Sequence, residues 1–98
     1  MTEKIFAVYI LSNKNRSVLY TGVTSNLPKR IYEHKHKITP GFTSRFNCSE
    51  LMYYEVCDNP ESAIMREKQI KAGSREKKVM LIDSMNPTWK DLYESIVG

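Results

Sequence analysis

The chain has 98 residues, enough for one folded domain with little room for a second hydrophobic core. Hydrophobic residues make up 41% and charged residues 27%, which is typical of folded rather than disordered proteins. No apolar run approaches the roughly 20 residues of a membrane helix, and the stretch MTEKIFAVYIL is too short and too acidic for a signal peptide. We therefore expect one cytoplasmic domain spanning residues 1–98.

The net charge of +4 is modest but unevenly distributed. Residues 29–45 include five lysines and arginines, and residues 66–78 include six. Such stretches suit a phosphate-rich partner, although a solvated helix face gives the same pattern. Charge alone therefore leaves both interpretations open.

Residues 5–11 and 18–24 predict a β-hairpin, because both are rich in apolar and β-branched residues and a polar stretch separates them. If Ser12 and Ser17 close a four-residue loop, Tyr9 lies directly opposite Tyr20. A shifted loop closure leaves the two tyrosines as diagonal neighbours on the same face. Either register brings two phenols together beside a strand glycine, Gly22, but such a pair also stabilises a hairpin without any catalytic role.

Residues 25–38 predict a helix that begins at Ser25 or Asn26 as the capping residue. Within it, Arg30 and His34 are four residues apart and so share one helix face. This pair suits phosphate contact, although a solvated helix face produces it as well. The predicted packing stripe consists of Leu27, Ile31 and Ile38.

Residues 39–47 predict a loop and residues 50–57 a third strand. A second helix is predicted from 58 to 72, with Gly73 as its C-terminal cap. Glu67 falls within the packing stripe of this helix, where an unpaired acid would be costly. The stripe consists of Ala63, Ile64 and Ile70. The position indicates either a functional carboxylate or an internal ion pair.

Residues 75–85 predict a third helix, which ends before Asn86-Pro87. Apolar residues then recur at helical spacing, which predicts a short C-terminal helix that closes the core. These residues are Trp89, Leu92, Tyr93, Ile96 and Val97.

Six elements of this sequence, in chain order and each on a suitable predicted element, fit one known pattern. They are Ala7-Val8-Tyr9, Tyr20-Thr21-Gly22, Arg30, His34, Glu67 and Asn86. The set resembles the GIY-YIG nuclease family, specifically its small stand-alone bacterial members, over almost the whole chain. Departures from the signature at Ala7, Val8 and Thr21 are small or β-branched residues within strands, so we expect the fold to survive them.

The resemblance implies an α/β (α+β) fold in which helices flank a small three-stranded antiparallel sheet. It further implies a metal-dependent endonuclease that hydrolyses DNA by a one-metal mechanism, in a setting of DNA repair or recombination. Mg²⁺ or Mn²⁺ would be held by Glu67. The implied catalytic residues are Tyr9, Tyr20, Arg30, His34 and Asn86.

These residue types suit phosphodiester hydrolysis. Arg30 offers planar donors that can grip two phosphate oxygens at once. A phenol has a pKa of about 10, so a tyrosine base needs nearby positive charge from the metal or from Arg30; the choice between the two tyrosines stays open. Some relatives carry a lysine shortly after the second signature element, where this chain has Val23. We therefore expect Arg30 or His34 to supply the basic group that assists the leaving group or the attacking water.

The expected partner is double-stranded or branched DNA, with a partner protein supplying specificity because a chain this short has no attached domain. Candidate nucleic-acid contacts lie around the predicted helix and loop: Lys29, Lys35, Lys37, Thr43, Arg45 and Phe46. Phe42 and Phe46 could equally cover the core, and Asn86 before a proline could cap a helix. A nucleic-acid-binding module without turnover, or a subunit of a repair complex, remains the alternative.

Overall fold

A three-stranded antiparallel sheet forms the centre of the structure, a computed structural model that describes residues 4–97. The strands are β1 (Phe6–Ser12), β2 (Leu19–Thr24) and β3 (Glu50–Cys57), in the order β2-β1-β3. Strand β1 lies in the middle because residues 7–11 are all apolar, so that both of its faces can be buried. This sheet, with helices on both faces, confirms the predicted fold class.

Five helices surround the sheet. Their bounds are α1 (Leu27–Lys35), α2 (Phe42–Arg45), α3 (Pro60–Ala72), α4 (Arg75–Met85) and α5 (Tyr93–Val97). The three longest begin with a side-chain cap in which the oxygen of Asn26, Asn59 or Ser74 accepts a hydrogen bond from a main-chain N–H three residues later. None of the helices within residues 4–97 is long and apolar enough to cross a membrane.

Two hydrophobic clusters lie on opposite faces of β1, as the alternation of side chains along a strand requires. One contains Ala7, Tyr9, Leu11, Leu27, Ile31, Cys48, Leu51 and Leu92. The other contains Val8, Ile10, Met52, Tyr53, Ala63, Ile70 and Ile82. Helix α1 thus packs under the tyrosine face of the sheet, while α3 and α4 cover the opposite face.

The hairpin register differs from the first of the two predicted ones. Tyr9 pairs with Gly22 and Leu11 pairs with Tyr20, so the tyrosines are diagonal neighbours on one face. The prediction that Tyr9 lies directly opposite Tyr20 was wrong, and the alternative with diagonal neighbours is confirmed. The cause is the loop: the side chain of Asn13 accepts a hydrogen bond from the main chain of Val18 and extends the turn to six residues.

Helix α1 ends earlier than predicted. Lys37 has a φ of 52°, which breaks the helix before Ile38 and leaves that side chain 58% exposed instead of packed. Ile64 of α3 is also exposed, so the predicted stripe is reduced to Ala63 and Ile70.

The predicted loop 39–47 contains the short helix α2, which begins after Gly41. The predicted C-terminal helix is shorter than expected and starts only at Tyr93. Trp89 has a φ of 54° and interrupts any helix there, and the carboxylate of Asp91 then accepts hydrogen bonds from the main-chain N–H groups of Tyr93 and Leu51. This segment is therefore pinned to β3 by its capping residue.

Candidate active site

A chain of hydrogen bonds runs through the tyrosine face of the sheet. The hydroxyl of Tyr9 lies 2.8 Å from Nε2 of His34, and Nδ1 of His34 lies 2.9 Å from Oγ1 of Thr43. All three side chains are buried. Strand β1 supplies the phenol, α1 the imidazole and α2 the hydroxyl, so three separate elements hold one polar network.

Burial sets the protonation states in this network. It raises the pKa of the Tyr9 phenol to about 12, although the positive charge of Arg30 works in the opposite direction. Burial and the charge of Arg30 together lower the pKa of His34 to about 4. At neutral pH Tyr9 is therefore an uncharged phenol and His34 a neutral imidazole with one partner on each ring nitrogen.

Tyr20 of β2 lies beside this network and is only partly buried. Its ring centroid is 6.4 Å from that of Tyr9 and 6.0 Å from that of His34. On its outer side the ring of Phe42 stacks on it, with centroids 5.8 Å apart and an angle of 27° between the planes. Tyr20 is thus the phenol of the pair that stands between the buried network and the surface.

Arg30 stands at the edge of the same face. Its Nη1 donates to a carboxylate oxygen of Glu33 and to the hydroxyl of Thr39, both at 3.2 Å. Burial opposes its charge, but Tyr9 and Glu33 together hold the pKa of the guanidinium above its ordinary value. Both hydrogen bonds use Nη1, and the guanidinium also interacts with the Tyr9 hydroxyl.

Glu67 lies on α3, which contacts β2 as well as β1 and so brings this side chain near Tyr20. Its carboxylate forms an ion pair with Lys71, one helical turn later, at 2.9 Å. The Lys71 ammonium lies 5.8 Å from the centroid of the Tyr20 ring. The negative charge of Glu67 also contributes to the raised pKa of Tyr9. The carboxylate, the ammonium and both phenols are therefore close enough to interact.

The oxygen and nitrogen donors of the site restrict which metal ions it could hold. Within residues 4–97, no group of three or more histidine, cysteine, aspartate or glutamate side chains is arranged to hold a metal ion. A caged ion such as zinc does not fit. Glu67 offers one hard oxygen donor on a side chain that is 15% exposed. Mg²⁺ and Mn²⁺ accept a single carboxylate when water and phosphate oxygens complete the shell, so this donor fits ions of that class.

Two predicted site residues are engaged elsewhere. The side-chain amide of Asn86 donates to the main-chain oxygens of Met52 and Lys90, and its oxygen accepts from the N–H of Lys90. Asn86 follows α4 and caps its end rather than the start of a new helix. Lys35 forms an ion pair with Asp91 and donates to a main-chain oxygen. Both residues hold the C-terminal segment against β3.

The other predicted nucleic-acid contacts divide by exposure. Thr43 is buried as the partner of His34, whereas the remaining four are exposed: Lys29, Lys37, Arg45 and Phe46. Two residues at the site, Phe42 and Lys71, were not predicted from the sequence. Phe42 is 47% exposed, and its ring stacks on Tyr20. Lys71 could have been found from its spacing, since a lysine four residues after Glu67 shares its helix face.

Comparison with known protein families identifies the class to which this fold belongs. Residues 5–80 match the family described as the GIY-YIG catalytic domain. This match covers more than half of the chain, and the chain therefore belongs to the GIY-YIG family, which confirms the resemblance drawn from the sequence. Asn86 lies beyond the matched residues.

Relatives of similar length bear this out. The UPF0213 protein CPE1444 of Clostridium perfringens is 42% identical over 77 residues, covering 79% of this chain and 82% of the relative. The UPF0213 protein SSP2268 of Staphylococcus saprophyticus is 37% identical over 75 residues, covering 76% and 90%. The solution structure of the UPF0213 protein BH0048 from Bacillus halodurans aligns with a TM-score of 0.56 at 28% identity, covering 89% of this chain and 92% of the other.

Proposed function

We propose that this chain is a divalent-metal-dependent endonuclease that hydrolyses phosphodiester bonds of DNA. The observation that carries the proposal is the clustering of two phenols, a neutral imidazole, a guanidinium and a carboxylate on four separate elements. Each has a structural explanation alone, but perturbed titratable groups from several elements rarely meet at one place without a function.

The two tyrosines take different roles in this proposal. Tyr9 is 1% exposed and bonded to His34, so it is a fixed part of the scaffold rather than a group that meets substrate. A proton transfer from this phenol to the imidazole would be strongly uphill, given their pKa values of about 12 and 4. Tyr20 is the more accessible phenol, and we assign to its hydroxyl the orientation of the attacking water.

Arg30 and Glu67 complete the site. The guanidinium of Arg30 would grip the oxygens of the scissile phosphate. Glu67 would hold the metal ion, and a bound Mg²⁺ or Mn²⁺ would neutralise phosphate charge and lower the pKa of a coordinated water. Tyr9, His34 and Thr43 would keep the face of the sheet rigid while these groups act.

The DNA would lie across the exposed aromatic and basic residues beside Tyr20. Phe42 and Phe46 are adjacent, with ring centroids 4.6 Å apart, and the Arg45 guanidinium lies 5.6 Å from the centroid of Phe46. Exposed aromatic rings accept nucleobases by stacking, and cations nearby attract phosphates. Double-stranded or branched DNA, a repair or recombination setting and a specificity-giving partner protein all belong to this proposal.

The test is metal-dependent cleavage of supercoiled plasmid, single-stranded DNA and branched DNA by the purified chain. Glu67→Gln and Tyr20→Phe should each reduce the cleavage rate at least about 100-fold, because each removes a group that meets the substrate or the ion. Glu61→Gln is the matched control: it lies exposed in the first turn of the same helix and should cleave like the wild type.

The alternative is a nucleic-acid-binding module without turnover. The internal ion pair of Glu67 with Lys71 favours it, since a carboxylate already neutralised needs no metal for stability. Binding of DNA by the wild-type chain without cleavage of any substrate, at any Mg²⁺ or Mn²⁺ concentration, would establish this alternative and reject the nuclease.

A further inference from the structure

The ion pair between Glu67 and Lys71 joins two side chains of very different freedom. Glu67 is 15% exposed, whereas Lys71 is 49% exposed. The carboxylate is therefore held in place by its surroundings, while the lysine has a long, half-exposed chain whose ammonium can leave without disturbing the core.

The ammonium also stands next to the proposed site rather than away from it. It lies 2.9 Å from the Glu67 carboxylate and 5.8 Å from the centroid of the Tyr20 ring, so it is close to both groups. A divalent ion on Glu67 would have to occupy space and charge that the ammonium now satisfies. Two cations cannot share one carboxylate at close range without repulsion.

We propose that Lys71 is a positioning residue that acts as an exchangeable counter-ion: it holds the Glu67 carboxylate in the site before the metal binds and gives it up when a divalent ion arrives. A mostly buried carboxylate without a cation would be costly, so the lysine keeps it paired and oriented in the metal-free protein. The inference rests on the proposed function, because it takes Glu67 as the metal ligand.

Competition between the ammonium and the metal ion for Glu67 predicts that a substitution beside the site increases, rather than decreases, the metal affinity. Removing the charge of Lys71 should tighten metal binding, because the ion no longer displaces an ammonium. A partly buried ion pair of this kind corresponds to about a fivefold change in affinity. If Lys71 only stabilised the helix, removing its charge would leave the metal affinity unchanged or weaken it.

The experiment titrates Mn²⁺ alone into the full chain and follows the free ion by electron paramagnetic resonance. Lys71→Met should bind Mn²⁺ about fivefold more tightly than the wild type, and Lys71→Gln should agree with it. Lys71→Arg keeps the charge and should show no gain. Lys68→Met is the matched control on the same helix, and Glu67→Gln should lose the site.

Two results would overturn the inference: Lys71→Met and Lys71→Gln binding Mn²⁺ no more tightly than the wild type, or the absence of Glu67-dependent Mn²⁺ binding in every variant. The outcome is separable from that of the proposed function. Tighter binding without DNA cleavage supports the role of Lys71 and rejects the nuclease. Cleavage that depends on Glu67, combined with unchanged Mn²⁺ affinity in both lysine variants, does the reverse.

Discussion

The ring of Tyr9 lies across Gly22, its partner on the neighbouring strand. A Cβ atom on Gly22 would collide with the Tyr9 hydroxyl, lie 2.5 Å from Cζ of the same ring and lie 3.0 Å from Cε2 of Tyr20. The missing side chain is therefore what allows the phenol to reach His34. The glycine therefore makes room for a side chain of its own sheet.

Gly22→Ala should move Tyr9 away from His34 and destabilise the fold by about 1–3 kcal/mol, as overpacking of a tight core does. DNA cleavage should fall with it, because the site is built on that ring. Urea unfolding and plasmid nicking measure the two effects. Gly73→Ala is the control, since its φ is −75° and its Cβ, 3.3 Å from the main-chain oxygen of Ile70, needs a shift of only a few tenths of an ångström. Equal effects of the two substitutions would contradict this account.

Acid should weaken the fold through His34. Its pKa of about 4 in the folded chain is below the ordinary 6.5, because burial and Arg30 disfavour the imidazolium. The unfolded chain therefore takes up a proton first as the pH falls. The resulting stabilisation is complete above pH 6.5 and lost as the pH drops towards 4, on the order of 3 kcal/mol.

His34→Gln removes this titration, so its stability should depend less on pH between 6.5 and 4.5 than that of the wild type. His36→Gln, at the exposed C-terminal cap of α1, should retain the wild-type dependence. Urea midpoints at several pH values make the comparison. The same pH dependence in both variants would show that the buried imidazole is not its source.

Much of the fold was predictable because it follows from local patterns. The uninterrupted apolar run of β1 and the caps at Asn26 and Asn59 gave the sheet and two helix starts. Register was harder, since it depends on one side chain in the loop: the hydrogen bonds of Asn13 lengthen the turn and shift every pair. The early end of α1 depends on the positive φ of Lys37, which the spacing of apolar residues does not predict.

The proximity of Tyr9, Tyr20 and His34 was predictable from the sequence, but several contacts of the predicted residues were not. The spacing of Arg30 and His34 predicted that they share one helix face. The contact between Thr43 and His34 was not predictable, because it depends on the folding of the predicted loop into α2. The engagement of Asn86 with main-chain groups depends on long-range packing against β3, which a local motif does not encode.

Thr21 offers a test of buried polarity. Its hydroxyl is buried and has no hydrogen-bond partner within residues 4–97. Thr21→Val should therefore raise the free energy of unfolding by about 1 kcal/mol, since it removes an unpaired polar group and keeps the β-branched shape. Thr43→Val removes a hydroxyl that is bonded to His34 and should lower stability by about 1–2 kcal/mol. Urea unfolding of both variants decides the matter, and a loss of stability in Thr21→Val would contradict the assignment.

Substitutions at the exposed aromatic and basic residues should distinguish the contribution of base stacking to DNA affinity from that of charge. Phe42 and Phe46 are 47% and 40% exposed although both have large apolar rings, and neither ring packs into the core. Phe42→Ala should weaken binding of DNA with unpaired bases about tenfold, because one stacked base contributes about 1–3 kcal/mol. Its salt dependence should remain that of the wild type, since no cation is lost.

Arg45→Ala should behave in the opposite way: a modest loss of affinity and a salt slope reduced by about one phosphate contact. Fluorescence anisotropy over a range of salt concentrations measures both quantities. Val56→Ala, which truncates a 65% exposed apolar side chain on β3, is the control for a simple loss of surface. If Phe42→Ala bound DNA as Val56→Ala does, the rings would have no part in recognition, and the basic residues alone would account for binding.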